Sequence, residues 1–185
     1  GEGYEDIGPV TQPDKPLGRH RSTAMAPPVK QIALDEGLPV FQPTTLRDAE
    51  FLELLTHMAP DLSVVVAYGK LLPQRVIELP ARGTLNIHAS LLPQLRGAAP
   101  IQAAIRQGLT ETGVSIMRMV LQLDAGPVLL RSATPILEDE TYGELALRLS
   151  ELGALALLEA LTLLSLGKAD EEPQDESKAT YAPKV

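Results

Sequence analysis

A run of six residues, Leu62-Ser63-Val64-Val65-Val66-Ala67, bounded by Pro60 and Gly69, limits the possible folds more than any other part of the chain. It is almost entirely apolar, rich in β-branched residues, and shows no polar/apolar alternation. Such a segment is predicted as a strand buried on both faces, as in a parallel sheet covered by helices. The residues before it fit this. Pro27-Pro28 opens a predicted helix through Leu34 that ends at Gly37, a short extended stretch from Leu38 to Phe41 follows, and Leu46, Phe51, Leu54, Leu55 and Met58 then recur at helical spacing. Helix, short strand, helix and buried strand make the alternation of an α/β domain.

Beyond the run, Thr84 to His88 reads as a strand, Ala98 to Gln107 as a helix closed by Gly108, and Val114 to Met119 as another strand. Asp124-Ala125-Gly126 is a turn leading into Pro127 to Ser132, so the last two strands are expected to pair as a hairpin. Thr141 with Glu144 has the spacing of a capping box for a long helix whose apolar stripe is Leu145, Leu149, Leu152 and Ala156, ending at Gly167. Lys168 to Val185 is polar, acidic and proline-containing, and reads as a solvated linker.

Composition removes several classes of function. The 185 residues suffice for a core without staples, and the absence of cysteine excludes disulfides, a thiolate nucleophile and cysteine-based metal sites. A net charge of -8 argues against wrapping nucleic acid over the whole surface. It leaves room for a local basic loop, and Thr11 to Ser22 concentrates Lys15, Arg19 and Arg21 in an otherwise acidic chain. Such a cluster is usually only a solvated loop, yet here phosphate contact is a stated expectation. The most apolar stretch, Leu152 to Leu166, is short for a bilayer and carries Glu159, and Gly1 to Pro9 has no signal-peptide pattern, so a soluble, cytoplasmic protein is expected. No glycine-rich phosphate loop and no paired histidines at metal-ligand spacing occur, so neither dinucleotide binding nor a metal is supported.

The chemistry concentrates between Thr84 and Pro100. On a Thr84 to His88 strand, Asn86 and His88 share one face with Cα atoms roughly 7 Å apart, while Leu85 and Ile87 fill the other. His88 falls where the strand gives way to a loop, the place where open α/β sheets bind ligands. Taken singly, Asn86 and His88 could be satisfied core polar residues and Asp124 a turn former. Together they supply an amide donor, an imidazole and a carboxylate, a set suited to attack of an amine on a carbonyl: the first two stabilise an oxyanion and the imidazole manages the proton. A Ser-His-Asp hydrolase with Ser90 as nucleophile is the competing idea. It lacks the G-x-S-x-G elbow, and Ser90 follows the histidine by only two residues.

Asn86-x-His88-x-Ser90-Leu91-Leu92-Pro93, then Arg96-Gly97-Ala98-Ala99-Pro100-Ile101-Gln102, Glu111-Thr112-Gly113-Val114 and Leu123-Asp124-x-Gly126 together resemble the folate-dependent formyltransferases. The resemblance extends from Thr11-Gln12-Pro13-Asp14 to Pro173-Gln174-Asp175-Glu176 and Thr180-Tyr181-Ala182. It implies a Rossmann-like α/β formyltransferase domain over residues 1–167, with a mostly parallel sheet flanked by helices, and a linker over 168–185 leading to a C-terminal domain that resembles an OB-fold. Family members begin with a strand and a Gly-Thr-Pro turn, a unit this sequence does not contain. By the same resemblance Asn86, His88 and Asp124 form a catalytic trio. Ser90, Leu91, Leu92 and Pro93 border the folate, while Tyr68 to Leu72, with Val120 to Asp124, line its pterin pocket. The implied reaction passes a formyl group from 10-formyltetrahydrofolate to the α-amino group of methionine on initiator tRNA, without metal, in a monomer, with Lys15, Arg19 and Arg21 touching the tRNA. Glycinamide ribotide or an amino sugar nucleotide as acceptor, or a non-catalytic folate-binding domain, are the rival readings. The Thr11 to Lys30 loop and the Pro173 to Ala182 segment favour tRNA.

Overall fold

In chain order the elements are β1 (Lys15–Pro16), β2 (Ala24–Met25), α1 (Pro28–Asp35), α2 (Ala49–Met58), β3 (Ser63–Val65), α3 (Gln74–Glu78), β4 (Thr84–His88), α4 (Pro100–Arg106), β5 (Glu111–Arg118), β6 (Val128–Pro135) and α5 (Tyr142–Ser165). They are seen in a computed structural model that describes residues 3–16 and 24–185. The chain divides into two compact units, one drawn from residues up to Asp61 together with Tyr68–Ala81, the other from Leu62–Ala67 and Arg82–Val185.

In the first unit α2 begins where Asp48 caps it by accepting the Glu50 N–H and ends at Ala59 in the left-handed region. Its inner face, Phe51 and Leu55, packs with Leu46 and Val76, and Val10, Tyr68 and Leu72 lie against that cluster. The extended stretch expected from Leu38 to Phe41 reduces to one bridge, Phe41 beside Val10 in parallel. Asp14 accepts hydrogen bonds from Gln42 and Lys30, which hold its carboxyl below the usual range.

The second unit is a four-stranded sheet in the order β3-β4-β5-β6. β3 and β4 are parallel, whereas β4-β5 and β5-β6 are antiparallel, so the sheet is mixed and the expected hairpin is present. α5 covers one face. The Thr141–Glu144 capping box fixes its start, and Leu145, Leu149, Ala156 and Ala160 meet Leu85, Val114, Ile116 and Leu129 of the sheet. Gly153 lets the helix approach the strand closely, since a Cβ there would lie 3.1 Å from Ile87.

Two expectations are corrected. The Leu62 to Ala67 run is not buried on both faces: only Ser63–Val65 is strand, and Val64 and Val66 are 39% and 59% exposed. The reason is its place at the end of the strand order, with a described strand on one side only. Lys168 to Val185 is not simply solvated. Glu172 bridges Val128 and Tyr181 bridges Arg96, and Ala182 is buried, so this segment straps the unit on the side of the two loops that follow β4 and β5. Backbone pairing of Arg96 and Ala99 with Thr180 and Ala182 supplies the hydrogen bonds that a free linker would take from water.

Candidate active site

β4 delivers Asn86 and His88 to one face while Leu85 and Ile87 pack toward α5. His88 is 6% exposed, and its Nε2 lies 2.8 Å from the Leu95 carbonyl. A carbonyl only accepts, so Nε2 carries a proton and Nδ1 is the nitrogen open to exchange. Nδ1 faces Asp124, whose Oδ2 stands 3.8 Å away. Asp124 is held in the left-handed region at φ 50, a strained conformation for this residue, and its Oδ2 accepts the Gly97 N–H at 2.7 Å. Asn86 is half-buried, and its amide takes no hydrogen bond among the described residues.

The structure brings His88 and Asp124 together and puts Asn86 on the same strand face as His88. The loop after β4 is fastened from several sides. The Ser115 hydroxyl donates to the Ser90 carbonyl at 2.7 Å and accepts the Leu92 N–H at 3.0 Å, and Arg131 Nε donates to the Leu92 carbonyl at 2.7 Å. The Ser90 hydroxyl donates to the Gln94 carbonyl at 2.5 Å, so it serves loop closure and not the histidine, and the hydrolase reading loses its nucleophile. Leu92 is sealed against Met117 and Val128, whereas Leu91 and Pro93 are half-buried. After β5, the loop leading to Asp124 presents Val120, Leu121 and Leu123 to solvent. Tyr68 and Leu72 belong to the core of the first unit. There, among the described residues, the Tyr68 hydroxyl has no hydrogen-bond partner, and burial pushes the phenol up. Lys15 is exposed in β1, and Arg19 and Arg21 lie outside the described residues.

Sequence reasoning assigned no role to Arg96. It is 0% exposed, and its guanidinium forms two hydrogen bonds to the carboxylate of Glu176, at 2.9 and 2.8 Å, and two to Gln174 Oε1, at 3.1 and 2.8 Å. This pairing lowers the Glu176 carboxyl below its usual range and raises Arg96. A signal existed: an arginine inside Leu92 to Ala99, flanked by apolar and small residues, needs a carboxylate partner, and the acidic C-terminal segment offers one. Among the described residues no group of three or more His, Asp or Glu is placed to hold a metal ion, and no helix is long and apolar enough to cross a membrane.

The fold and site define an α/β domain with a histidine and a carboxylate brought together beyond the carboxyl end of an inner strand and, among the described residues, no serine bonded to that histidine. Comparison narrows this class. The family model described as Formyl transferase matches residues 4–161, and the chain belongs to that family. It is 50% identical over 181 residues to the methionyl-tRNA formyltransferase of Moorella thermoacetica, an alignment covering 98% of this chain and 58% of that protein. The chain therefore spans little more than half the length of such relatives. Among solved structures, phosphoribosylglycinamide formyltransferase from Anaplasma phagocytophilum superposes with a TM-score of 0.70 at 23% identity, covering 84% of this chain and 80% of that one. HypX from Aquifex aeolicus in complex with tetrahydrofolic acid gives 0.64 at 24% identity, covering 72% of this chain and 24% of that one. These likenesses are of fold.

Proposed function

We propose that this chain is the formyl-transferring part of an enzyme that moves the formyl group of 10-formyltetrahydrofolate onto the α-amino group of methionine carried by initiator tRNA. The observation that carries the reading is the placement of His88 Nδ1 beside Asp124, on the strand face that also bears Asn86 with its amide uncommitted. In the step proposed, the amine nitrogen attacks the formyl carbon, its proton passes to the free Nδ1 of His88, and the carbonyl electrons move to oxygen, where Asn86 and the Nδ1–H so formed donate hydrogen bonds. The oxyanion then collapses, the bond to N10 of the folate breaks, and the proton lost by the amine is passed to N10. Asp124 orients the imidazole and balances its charge while it holds that proton. The exposed Val120, Leu121 and Leu123 beside Asp124 suit the flat face of a pterin, and Leu91 and Pro93 border it.

The identity of the acceptor rests on the relatives named as methionyl-tRNA formyltransferases. The test is a formyl-transfer assay of the full-length protein with methionyl initiator tRNA, glycinamide ribotide and an amino sugar nucleotide offered separately. Formylation of the tRNA alone is expected. Formylation of either other amine instead, or of none with folate still bound, overturns the reading. For the basic loop, neutralising Arg19 or Arg21 is expected to raise the KM for tRNA and leave that for the folate unchanged.

A further inference from the structure

We infer that Gln174, in the C-terminal strap, is a positioning residue for Asp124, acting by holding the strained backbone from which that carboxylate is aimed. The inference rests on the reading of Asp124 given above. Gln174 has both ends of its amide saturated. Its Oε1 accepts from Arg96 Nε and Nη2, and its Nε2 donates to the carbonyl oxygens of Asp124, at 2.8 Å, and Gly126, at 2.7 Å. The guanidinium only donates and the carbonyls only accept, so the orientation of the amide is fixed.

The grip matters because of what it grips. Asp124 sits at φ 50, a conformation that persists only where the surroundings over-determine it. Its own carboxylate takes the Gly97 N–H, and two residues on, Gly126 is so tightly placed that a Cβ would come within 1.7 Å of the Arg118 carbonyl. Gln174 ties the carbonyls at both ends of this turn to Arg96, which adjoins Gly97 in the loop after β4. Glu176 clamps the remaining edge of the same guanidinium, and the strap returns through Thr180 and Ala182 to the backbone of Arg96. One buried arginine and one glutamine therefore lock the loop that follows His88 at the end of β4 to the loop that carries Asp124. Among the described residues the strap makes no hydrogen bond to either side chain, so its hold on the distance between them runs through the backbone.

The experiment compares Gln174→Glu, Gln174→Met, Asp124→Asn and the double variant Gln174→Glu with Asp124→Asn, in steady-state formyl transfer by the full-length protein and in thermal unfolding. Gln174→Glu keeps an oxygen for Arg96 but loses both N–H donors, while Gln174→Met keeps the length and loses all polarity. A kcat about tenfold lower in either variant, with the KM for the formyl donor unchanged and the double variant no slower than Asp124→Asn alone, is the result expected of a residue that works through Asp124. Wild-type kcat in both Gln174 variants beside an impaired Asp124→Asn overturns the inference and leaves the proposed function standing. Effects on kcat, KM and unfolding temperature that multiply in the double variant also overturn it, since they mark a purely structural role. Full activity in Asp124→Asn removes the proposed function itself, and this inference falls with it.

Discussion

The carboxylate oxygen of Asp124 that receives the Gly97 N–H at 2.7 Å is the same oxygen that stands 3.8 Å from Nδ1 of His88. One atom thus has two duties, anchoring a loop and facing an imidazole. Asp124→Asn preserves an oxygen for Gly97 and removes the charge beside the ring. The unfolding temperature is expected to stay within about 3 °C of wild type, while kcat for formyl transfer falls about 100-fold with folate binding retained. Calorimetry and steady-state kinetics on the same preparation check both halves.

The Ser90 hydroxyl points to the Gln94 carbonyl, so its removal costs a loop contact of about 1 kcal/mol and no catalytic group. Ser90→Ala is expected to keep kcat within about threefold of wild type. A loss as deep as that of His88→Ala would restore the serine to the chemistry.

Hydrogen bonds from Arg96 hold the Glu176 carboxyl below its usual range, so the folded state binds the proton more weakly than the unfolded chain does. The stabilisation is complete above the ordinary glutamate range, near pH ~4.3, and is lost as pH falls through the lowered folded-state value. Glu176→Gln is therefore expected to unfold at a lower temperature than wild type at pH ~7, with the difference narrowing progressively as the pH is taken below the ordinary glutamate range. A difference that persists unchanged in acid would show that the glutamate's charge is not the source.

Gly97 lies at φ 111, and a Cβ there would come within 2.6 Å of the Ala182 carbonyl. Gly97→Ala is expected to lift the strap without melting the sheet. Hydrogen exchange should quicken at the amides of Ala99 and Ala182, which pair across this contact, and stay slow along β5.

Leu145 is 0% exposed between α5 and the sheet. Leu145→Ala opens a cavity there and is expected to destabilise the second unit by about 3 kcal/mol, a fall of roughly 10 °C in unfolding temperature.

Much of this was legible in local sequence. Period-two spacing set Asn86 and His88 on one strand face, and the Thr141–Glu144 pair announced α5, because both signals are written within a few residues. The exposure of Val64 and Val66 was not legible, since an apolar run does not say whether its strand has neighbours on both sides. Nor was the strap. Arg96 and Glu176 are 80 residues apart, and polar composition alone reads as solvated until a buried guanidinium is found to need those carboxylate and amide oxygens. Asp124 taken alone is locally indistinguishable from a turn former before Ala-Gly, and it joined the site only as part of the set with Asn86 and His88, which the family pattern then supported.

The most direct measurement of the central claim is single-turnover formyl transfer from saturating 10-formyltetrahydrofolate to methionyl initiator tRNA by the full-length protein and its His88→Ala variant, with folate affinity measured separately. Folate affinity within about threefold of wild type and a transfer rate lower by about 100-fold or more is the expected result. A transfer rate equal to wild type would contradict the assignment of His88, and with it the site, to this reaction.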